Sequence, residues 1–261
     1  MNADCAFWIG STHRVCQDYA VAGHAEGAAH AVLSDGCSGS PDTDIGARLL
    51  AKSAERRLPL CAGAIENAAV CAGGLGLPPT CLDATLLTIT AADGKFDARC
   101  FGDGVVALGR HDGTIEAFVV SFAASYPRYL SYTLDADRRQ QWLDQPGNTK
   151  TVQRWVPGEA VPAEPETSER DSEQWTGSVA DCRFVAVLSD GVQSFTQSVA
   201  TDTSRTTQSV PIADVLALLL AFKGGQGQFV QRRVRAFQRE CAARGWSHAD
   251  DVSLGVVWLG E

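Results

Sequence analysis

The hexapeptide AVLSDG occurs twice in the chain, at residues 31–36 and again at 186–191. In each copy, an apolar run typical of a buried strand ends in an Asp-Gly turn. The residues after the two copies are not similar, which argues against a duplicated domain. One interpretation is chance, since these residues are common and strands often end in Asp-Gly turns. The other is that two buried strands each bring one carboxylate to the same place.

Other apolar runs predict a fold built from antiparallel strands and outer helices. Between residues 84 and 120, strand-like runs are separated by the turns AADGKF and HDGT, and tight Asp-Gly turns between strands indicate an antiparallel sheet. A helix is predicted at 42–58, and two more follow residue 211. The apolar face of the helix at 42–58 is predicted to contain Ile45, Leu49, Leu50, Ala54 and Leu58.

The pattern predicts one domain that spans residues 1–261. The segment 122–180 is rich in Pro and Glu toward its end, and we interpret it as a loop or flap inserted into that domain. Within it, the run SYPRYLSY (125–132) offers three tyrosines and an arginine. These side chains either flank a substrate groove or pack the flap.

Composition limits the classes of function. The 261-residue chain is 45% apolar and has a net charge of −9, as expected for a soluble globular protein. An acidic chain is not expected to bind nucleic acid or an anionic membrane, and it suits a protein that gathers cations. Nine cysteines without a C-x-x-C pair predict reduced thiols in a cytoplasmic protein. The N-terminus does not resemble a signal peptide, and the longest apolar run, 215–222, is too short to span a bilayer.

Aspartates follow or precede several of the predicted strands. An isolated carboxylate beside a buried strand is costly unless it is paired or binds a cation. Carboxylate and carbonyl oxygens are the ligands that Mg²⁺ and Mn²⁺ prefer, and no His or Cys spacing suggests zinc. A single Asp is more often a turn residue, but an ordered set favours a metal site. The set is Asp18, Asp35, Asp103, Asp190, Asp250 and Asp251.

The order QD, SDG, GDG, SDG, DDVS resembles the metal-dependent type 2C protein serine/threonine phosphatases. The bacterial branch is most similar, through STHRVCQDY (11–19) and SDGCSGSPDTDIGA (34–47). The resemblance implies an α+β fold, a four-layer αββα sandwich in which two antiparallel sheets pack face to face between outer helices. It also implies a cytoplasmic phosphatase that hydrolyses phosphomonoesters of phosphorylated proteins, with water activated by two Mn²⁺ or Mg²⁺ ions.

The resemblance assigns roles to individual residues. Asp35 is expected to bridge two ions, and the carbonyl of Gly36 to bind one of them. Asp190 and Asp250 are expected to ligate the other ion, and Asp18 to hold one of its waters. The catalytic set is Asp35, Asp190, Asp250 and His13. Asp103 and Asp251 are further candidates for metal binding, with Asp103 at a weaker third site. His13 and Arg14 are the candidates for substrate binding.

Three positions depart from the family pattern. His13 stands where many members have a phosphate-binding Arg, Cys37 where eukaryotic members have a His, and Ser194 where many have an Asp for the third metal. Two alternatives to a protein phosphatase remain at this stage. One is a catalytically silent binding module, and the other is a hydrolase of another phosphoester on the same fold.

Overall fold

The computed structural model describes residues 1–59, 61–123, 126–156, 163–200 and 205–260. A seven-stranded antiparallel sheet forms one half of the central sandwich. Strands are numbered in chain order. Across the sheet they are β1 (Asn2–Trp8), β15 (Val252–Trp258), β11 (Phe184–Leu188), β6 (Gly104–Gly109), β7 (Ile115–Phe122), β8 (Lys150–Trp155) and β9 (Glu166–Thr167).

A five-stranded antiparallel sheet forms the other half. Its strands are, in spatial order, β10 (Glu173–Ser178), β5 (Lys95–Phe101), β4 (Leu86–Ala92), β3 (Ala28–Asp35) and β2 (Asp18–Ala25). The predicted hairpin between β4 and β5 is confirmed. Its two turn residues, Asp93 and Gly94, have φ values of 50° and 75°, the left-handed pair that a two-residue hairpin turn requires.

Helices cover the outer faces of the sandwich. Helices α1 (Thr43–Glu55) and α2 (Ala64–Gly74) lie on the five-stranded sheet, and α4 (Ile212–Leu219) and α5 (Phe229–Arg244) lie on the seven-stranded sheet. A small sheet of β13 (Arg205–Ser209), β12 (Phe195–Ala200) and β14 (Trp246–His248) stands beside α5.

Three apolar cores separate the four layers. On β3, Leu33 points between the sheets, where it joins Val187 of β11, whereas Val32 points outward to Leu50 of α1. On the far side, Leu188 packs with the helices of the seven-stranded sheet. Successive side chains therefore serve different cores, as the period of two in a strand requires. The predicted four-layer αββα sandwich is confirmed.

The buried face of α1 agrees only in part with the predicted face. Leu50 and Ala54 are buried as predicted, whereas Ile45 is 37% exposed and the helix buries Gly46 and Ala47 instead. A Cβ added to Gly46 would lie 1.7 Å from the carbonyl oxygen of Cys81. This close backbone approach buries the side of the helix that carries Gly46 and leaves Ile45 turned outward.

The segment 122–180 contains regular structure as well as loops. After β7 come a 3₁₀ turn (Leu130–Leu134) and the helix α3 (Ala136–Leu143), and the segment then supplies β8, β9 and β10. The strands β9 and β10 are edge strands of different sheets. Because an edge strand can be held by backbone hydrogen bonds alone, its sequence need not alternate, and the polar run EQWTGS gives no strand signal. Parts of the predicted loop, at 124–125 and 157–162, lie outside the described residues.

All nine cysteines are free thiols, and five of them are buried. Among the described residues, no helix combines the length and the apolarity needed to cross a membrane.

Candidate active site

The two copies of AVLSDG end at one cavity of about 620 Å³. Asp35 ends β3 in the five-stranded sheet, and Asp190 lies just beyond β11 in the seven-stranded sheet. Gly36, Asp103 and Asp250 also line this cavity. The structure therefore brings five of the predicted metal residues to one place, from both sheets.

Asp18 lies beneath this cavity. It is opposite Asp35 in the pairing of β2 with β3, and it is only 1% exposed. Its Oδ2 accepts a hydrogen bond of 2.7 Å from the hydroxyl of Ser189, the residue before Asp190. Its Oδ1 is buried and has no hydrogen-bond partner among the described residues. An orphaned carboxylate oxygen of this kind is costly unless something else binds it.

Crowding of the carboxylates changes their acidity. Burial raises the pKa of Asp35 well above its usual range, and the neighbouring charges of Asp18 and Asp190 raise it further. Burial likewise raises the pKa of Asp18 to about 7, against hydrogen bonds that lower it, and raises that of Asp190. For Asp103, burial and the charge of Asp190 raise the pKa well above normal. The site is thus unfavourable for several negative charges unless cations balance them.

The glycine of each hexapeptide is required by close backbone approach. A Cβ added to Gly36 would lie 2.8 Å from the Cβ of Thr43, the first residue of α1. A Cβ added to Gly191 would lie 1.8 Å from the carbonyl oxygen of Asp251. Each Asp-Gly corner is therefore held against a neighbouring segment, which fixes the direction of its carboxylate.

Asp251 lies outside the cavity lining and is 2% exposed. Its Oδ1 accepts a hydrogen bond of 2.7 Å from the backbone N–H of Gly10, and its Oδ2 accepts one of 2.6 Å from that of Gln17. These bonds tie the segment between β1 and β2 to the start of β15. Both oxygens are therefore occupied by the protein itself.

His13 lies between the two adjacent aspartates. Its Nδ1 is 3.0 Å from Asp251 Oδ2, and its Nε2 is 3.6 Å from Asp250 Oδ1. Partial burial lowers the pKa of His13, but the nearby negative charges of Asp251 and Asp250 outweigh this and raise it overall. His13 does not line the cavity, and Arg14 beside it is exposed and does not line it either. Ser194 does line the cavity, and its hydroxyl accepts a hydrogen bond of 3.2 Å from the backbone N–H of Asp250.

Two further residues line the cavity: Cys37, at the position where eukaryotic members have a His, and Tyr129, from the tyrosine-rich run. Tyr129 is 7% exposed, and burial, together with its interaction with the Cys37 thiol, raises the pKa of its phenol. Of the tyrosine-rich run, Tyr129 and Pro127 flank the cavity, whereas Tyr126 stacks on Tyr132 with ring centroids 6.5 Å apart. Part of this run therefore flanks the cavity, and part of it packs within the segment itself.

A buried ion pair anchors the tyrosine-bearing segment. Arg138 of α3 donates from Nη2 to both carboxylate oxygens of Asp83, at 2.9 and 2.8 Å. Asp83 also accepts hydrogen bonds from the hydroxyls of Ser131 (2.7 Å) and Ser40 (2.8 Å). Its own carbonyl accepts from the backbone N–H of Cys37 at 2.8 Å. No sequence signal joins these residues, because the two ion-pair partners are 55 positions apart and neither lies in a motif.

Comparison with known proteins identifies the family. The family model of Protein phosphatase 2C matches residues 10–219, which is more than half of the chain. The chain belongs to the protein phosphatase 2C family.

Solved structures share the protein phosphatase 2C fold of this chain. The S. agalactiae serine/threonine phosphatase has a TM-score of 0.53 at 15% identity, with 99% of each chain covered. The Mycobacterium tuberculosis serine/threonine phosphatase PstP/Ppp has a TM-score of 0.52 at 14% identity, with 99% of this chain and 98% of the other covered. A bacterial serine phosphatase has a TM-score of 0.53 at 9% identity, with 100% and 99% covered. At such low identities, the likeness concerns the fold alone. No curated protein matches the chain.

The donor set of this protein phosphatase 2C chain fits divalent cations. In the described part of the chain, no three His, Cys, Asp or Glu side chains form a complete metal site. A Mg²⁺ ion, however, keeps several waters and needs only one or two carboxylates. The orphaned oxygen of Asp18 and the raised pKa values of Asp35 and Asp190 both indicate a place where a cation would be stabilised.

Proposed function

We propose that the chain is a phosphatase that hydrolyses phosphoserine and phosphothreonine in proteins and requires Mn²⁺ or Mg²⁺. The observation that carries this proposal is the cluster of Asp18, Asp35 and Asp190, whose carboxylates crowd together at one cavity and resist ionisation together. The family membership and the fold support phosphoryl chemistry at this cavity.

Five residues would hold two ions. Asp35, which lies between Asp18 and Asp190, would bridge them, with the carbonyl of Gly36 on one ion. Asp190 and Asp250 would ligate the other ion, and Asp18 would hold a water on it. When bound, the ions lower the pKa of water and neutralise charge on phosphoryl oxygens. Asp103, on the cavity wall, is the candidate for a weaker third site.

The protein's own groups position this set. We infer that His13 acts on Asp250 as a positioning residue, because its ring lies between the carboxylates of Asp251 and Asp250, at 3.0 and 3.6 Å. Asp251 is then a support for His13 rather than a metal ligand, because its oxygens already accept backbone hydrogen bonds. Arg14 is exposed, and its proposed role is limited to contact with a substrate that approaches the cavity.

Two broader features complete the proposal. The catalytic residues are drawn from strands near both ends of the chain, which supports a single catalytic domain over 1–261 with the segment 122–180 at its rim. The nine free thiols support a reducing cytoplasm as the place of action.

Hydrolysis of an aryl phosphate and of a phosphoserine peptide, compared in EDTA, Mg²⁺ and Mn²⁺, tests this function. We expect no turnover in EDTA and turnover of both substrates with Mn²⁺. The matched control is Asp112→Asn, which removes an exposed carboxylate from the β6–β7 turn and should leave activity unchanged. Full activity in EDTA would disprove metal dependence. Metal binding without turnover of either substrate would instead favour a silent binding module.

A further inference from the structure

Helix α5 carries a basic face in an otherwise acidic chain. Residues 223–244 hold six of the chain's 22 Lys and Arg residues but only one of its 31 Asp and Glu residues. Arg232, Arg235 and Arg239 are exposed. Because residues three and four apart are neighbours on a helix, these side chains share one face of α5. We refer to them as the arginine face.

Interactions within the described chain do not explain this face, although Arg232 donates a hydrogen bond of 2.5 Å to the carbonyl oxygen of Gln226. The acidic residue of α5, Glu240, is already paired with Arg233, whose guanidinium donates to both of its oxygens at 3.2 and 2.5 Å. In the part of the chain that the structure describes, no carboxylate forms an ion pair with the arginine face. Like charges at these spacings repel, and Arg232 also lies in the first turn, where the helix dipole disfavours a cation. The face therefore lowers the stability of the helix that carries it.

Apolar grooves border the arginine face. One groove of about 360 Å³ lies between β1 and α5, where Arg235 stands beside Phe7 and Trp8. Another of about 410 Å³ has Arg232 at its edge and is lined by Phe222 and Phe229. A binding partner can therefore meet guanidinium groups and apolar pockets together. No residue of α5 lines the catalytic cavity.

We propose that the arginine face and its two grooves bind an acidic segment of a partner protein. Carboxylates of the segment pair with Arg232, Arg235 and Arg239, since the planar guanidinium matches a carboxylate in two-point hydrogen bonding. Apolar side chains of the same segment occupy the grooves. A protein segment fits better than nucleic acid, because the net charge of −9 repels a long polyanion beyond the patch and because the grooves are apolar. This surface is independent of the proposed phosphatase chemistry.

Fluorescence anisotropy tests the proposal, with a labelled poly-Glu peptide that carries Leu at every fourth position as the probe. We expect the wild-type protein to bind this peptide at about 50 mM salt and to lose it near 500 mM, as screening of exposed charges requires. The same peptide with Gln in place of Glu should not bind. The Asp35→Asn variant should bind the Glu peptide as tightly as wild type, which separates this result from the outcome of the phosphatase assays.

Two charge-reversal variants give the matched comparison. R232E/R235E/R239E should lower the affinity for the Glu peptide by about tenfold or more, which is the combined effect expected from the loss of three modest surface ion pairs. The control R56E/R57E/K95E makes the same change in net charge at exposed residues on the other half of the sandwich, and it should stay within about twofold of wild type. If circular dichroism shows that R232E/R235E/R239E does not fold, R232Q/R235Q/R239Q, which removes the same positive charges, is compared with wild type instead.

Four results would overturn the proposal. The first is failure of the wild-type protein to bind the Glu peptide at low salt, and the second is an equal loss of peptide affinity in both charge-reversal variants. The third is binding of a single-stranded DNA oligonucleotide by the same face more tightly than the Glu peptide. The fourth is a concentration-dependent dimer that R232E/R235E/R239E abolishes. The third result would assign the face to nucleic acid, and the fourth to a second copy of this chain.

Discussion

Asp35 is buried beside the carboxylates of Asp18 and Asp190, and burial and both neighbouring charges raise its pKa. We predict that Asp35→Asn lowers turnover by about a hundredfold or more, because a neutral amide cannot balance two cations. The metal-free variant should nevertheless be more stable than metal-free wild type, by about 1 kcal/mol, because like-charge repulsion is relieved. Turnover and the melting temperature in EDTA measure the two effects. An active, destabilised Asn variant would show that Asp35 is only a turn residue.

The raised pKa values predict how the metal-free protein responds to pH. A carboxyl whose pKa is higher in the folded state than in the unfolded state binds more protons when folded. Its stabilisation is complete below the unfolded pKa and is lost as pH rises through the folded pKa, which for Asp18 is about 7. We therefore expect the melting temperature in EDTA to fall as pH rises from about 5 to about 8.

A matched variant checks the source of this pH dependence. Asp18→Asn should flatten the fall, because it removes a group that titrates near pH 7, and saturating Mn²⁺ should flatten it in the wild-type protein. Asp112→Asn, in an exposed turn, should not alter the slope. A melting temperature that rises over the same range would contradict the assignment.

At the scale of single residues, sequence motifs predicted where the aspartates lie along the fold better than they predicted the burial and hydrogen bonding of each aspartate. The Asp-Gly pairs locate Asp35 and Asp190 because a turn after a strand is a local property. Whether a carboxylate is buried depends on segments from elsewhere: Asp18 is covered by Ser189, and Asp251 is directed away from the cavity by Gly10. Neither contact leaves a mark in the local sequence.

Among the elements, α3 depends on one ion pair for its place beside the cavity. We predict that Arg138→Met destabilises the protein by about 2 kcal/mol, because it leaves the buried Asp83 carboxylate without its cation. It should also raise KM for a phosphopeptide more than it lowers kcat, since the segment that carries Tyr129 loses its anchor.

The neighbouring exposed residue supplies the control. Arg139→Met should change neither the melting temperature nor KM appreciably, since surface substitutions cost about 0.5 kcal/mol or less. Arg138→Lys should restore only part of the stability, because it keeps a cation for Asp83 but loses the planar guanidinium that lies 4.9 Å from the centroid of the Tyr132 ring. Equal melting temperatures for Arg138→Met and Arg139→Met would show that the ion pair contributes nothing.

Elements with strong periodicity were predictable, and elements held by backbone contacts were not. The hairpin of β4 and β5 follows from its Asp-Gly turn, whereas β10 is a polar edge strand with no periodic pattern. The predicted face of α1 was right at Leu50 and Ala54 and wrong at Ile45, because the close approach of Gly46 to Cys81 buries the neighbouring side of the helix. A steric contact between distant backbones is not encoded in either local segment.

For the whole molecule, ligand binding and stability are linked. The proposed Mn²⁺ site is formed by the folded chain alone, so we predict that Mn²⁺ raises the free energy of unfolding by about 2.7 kcal/mol at a hundred times its dissociation constant. Thermal denaturation across a Mn²⁺ series measures this effect. The double variant D35N/D190N should show little of the increase, and an equal increase in wild type and double variant would place the bound ions elsewhere.

The two sheets hold different parts of the cluster: Asp35 and Asp18 belong to the five-stranded sheet, whereas Asp190 lies at the end of a strand of the other. The distance between the sheets is set in the core, where a Cβ added to Gly255 would lie 3.0 Å from the Cβ of Ala31. Core mutations that shift one sheet therefore alter the active site without touching it. Substitutions in the core and at the cluster are expected to show epistasis, so that the same core residue is tolerated in one background and inactivating in another.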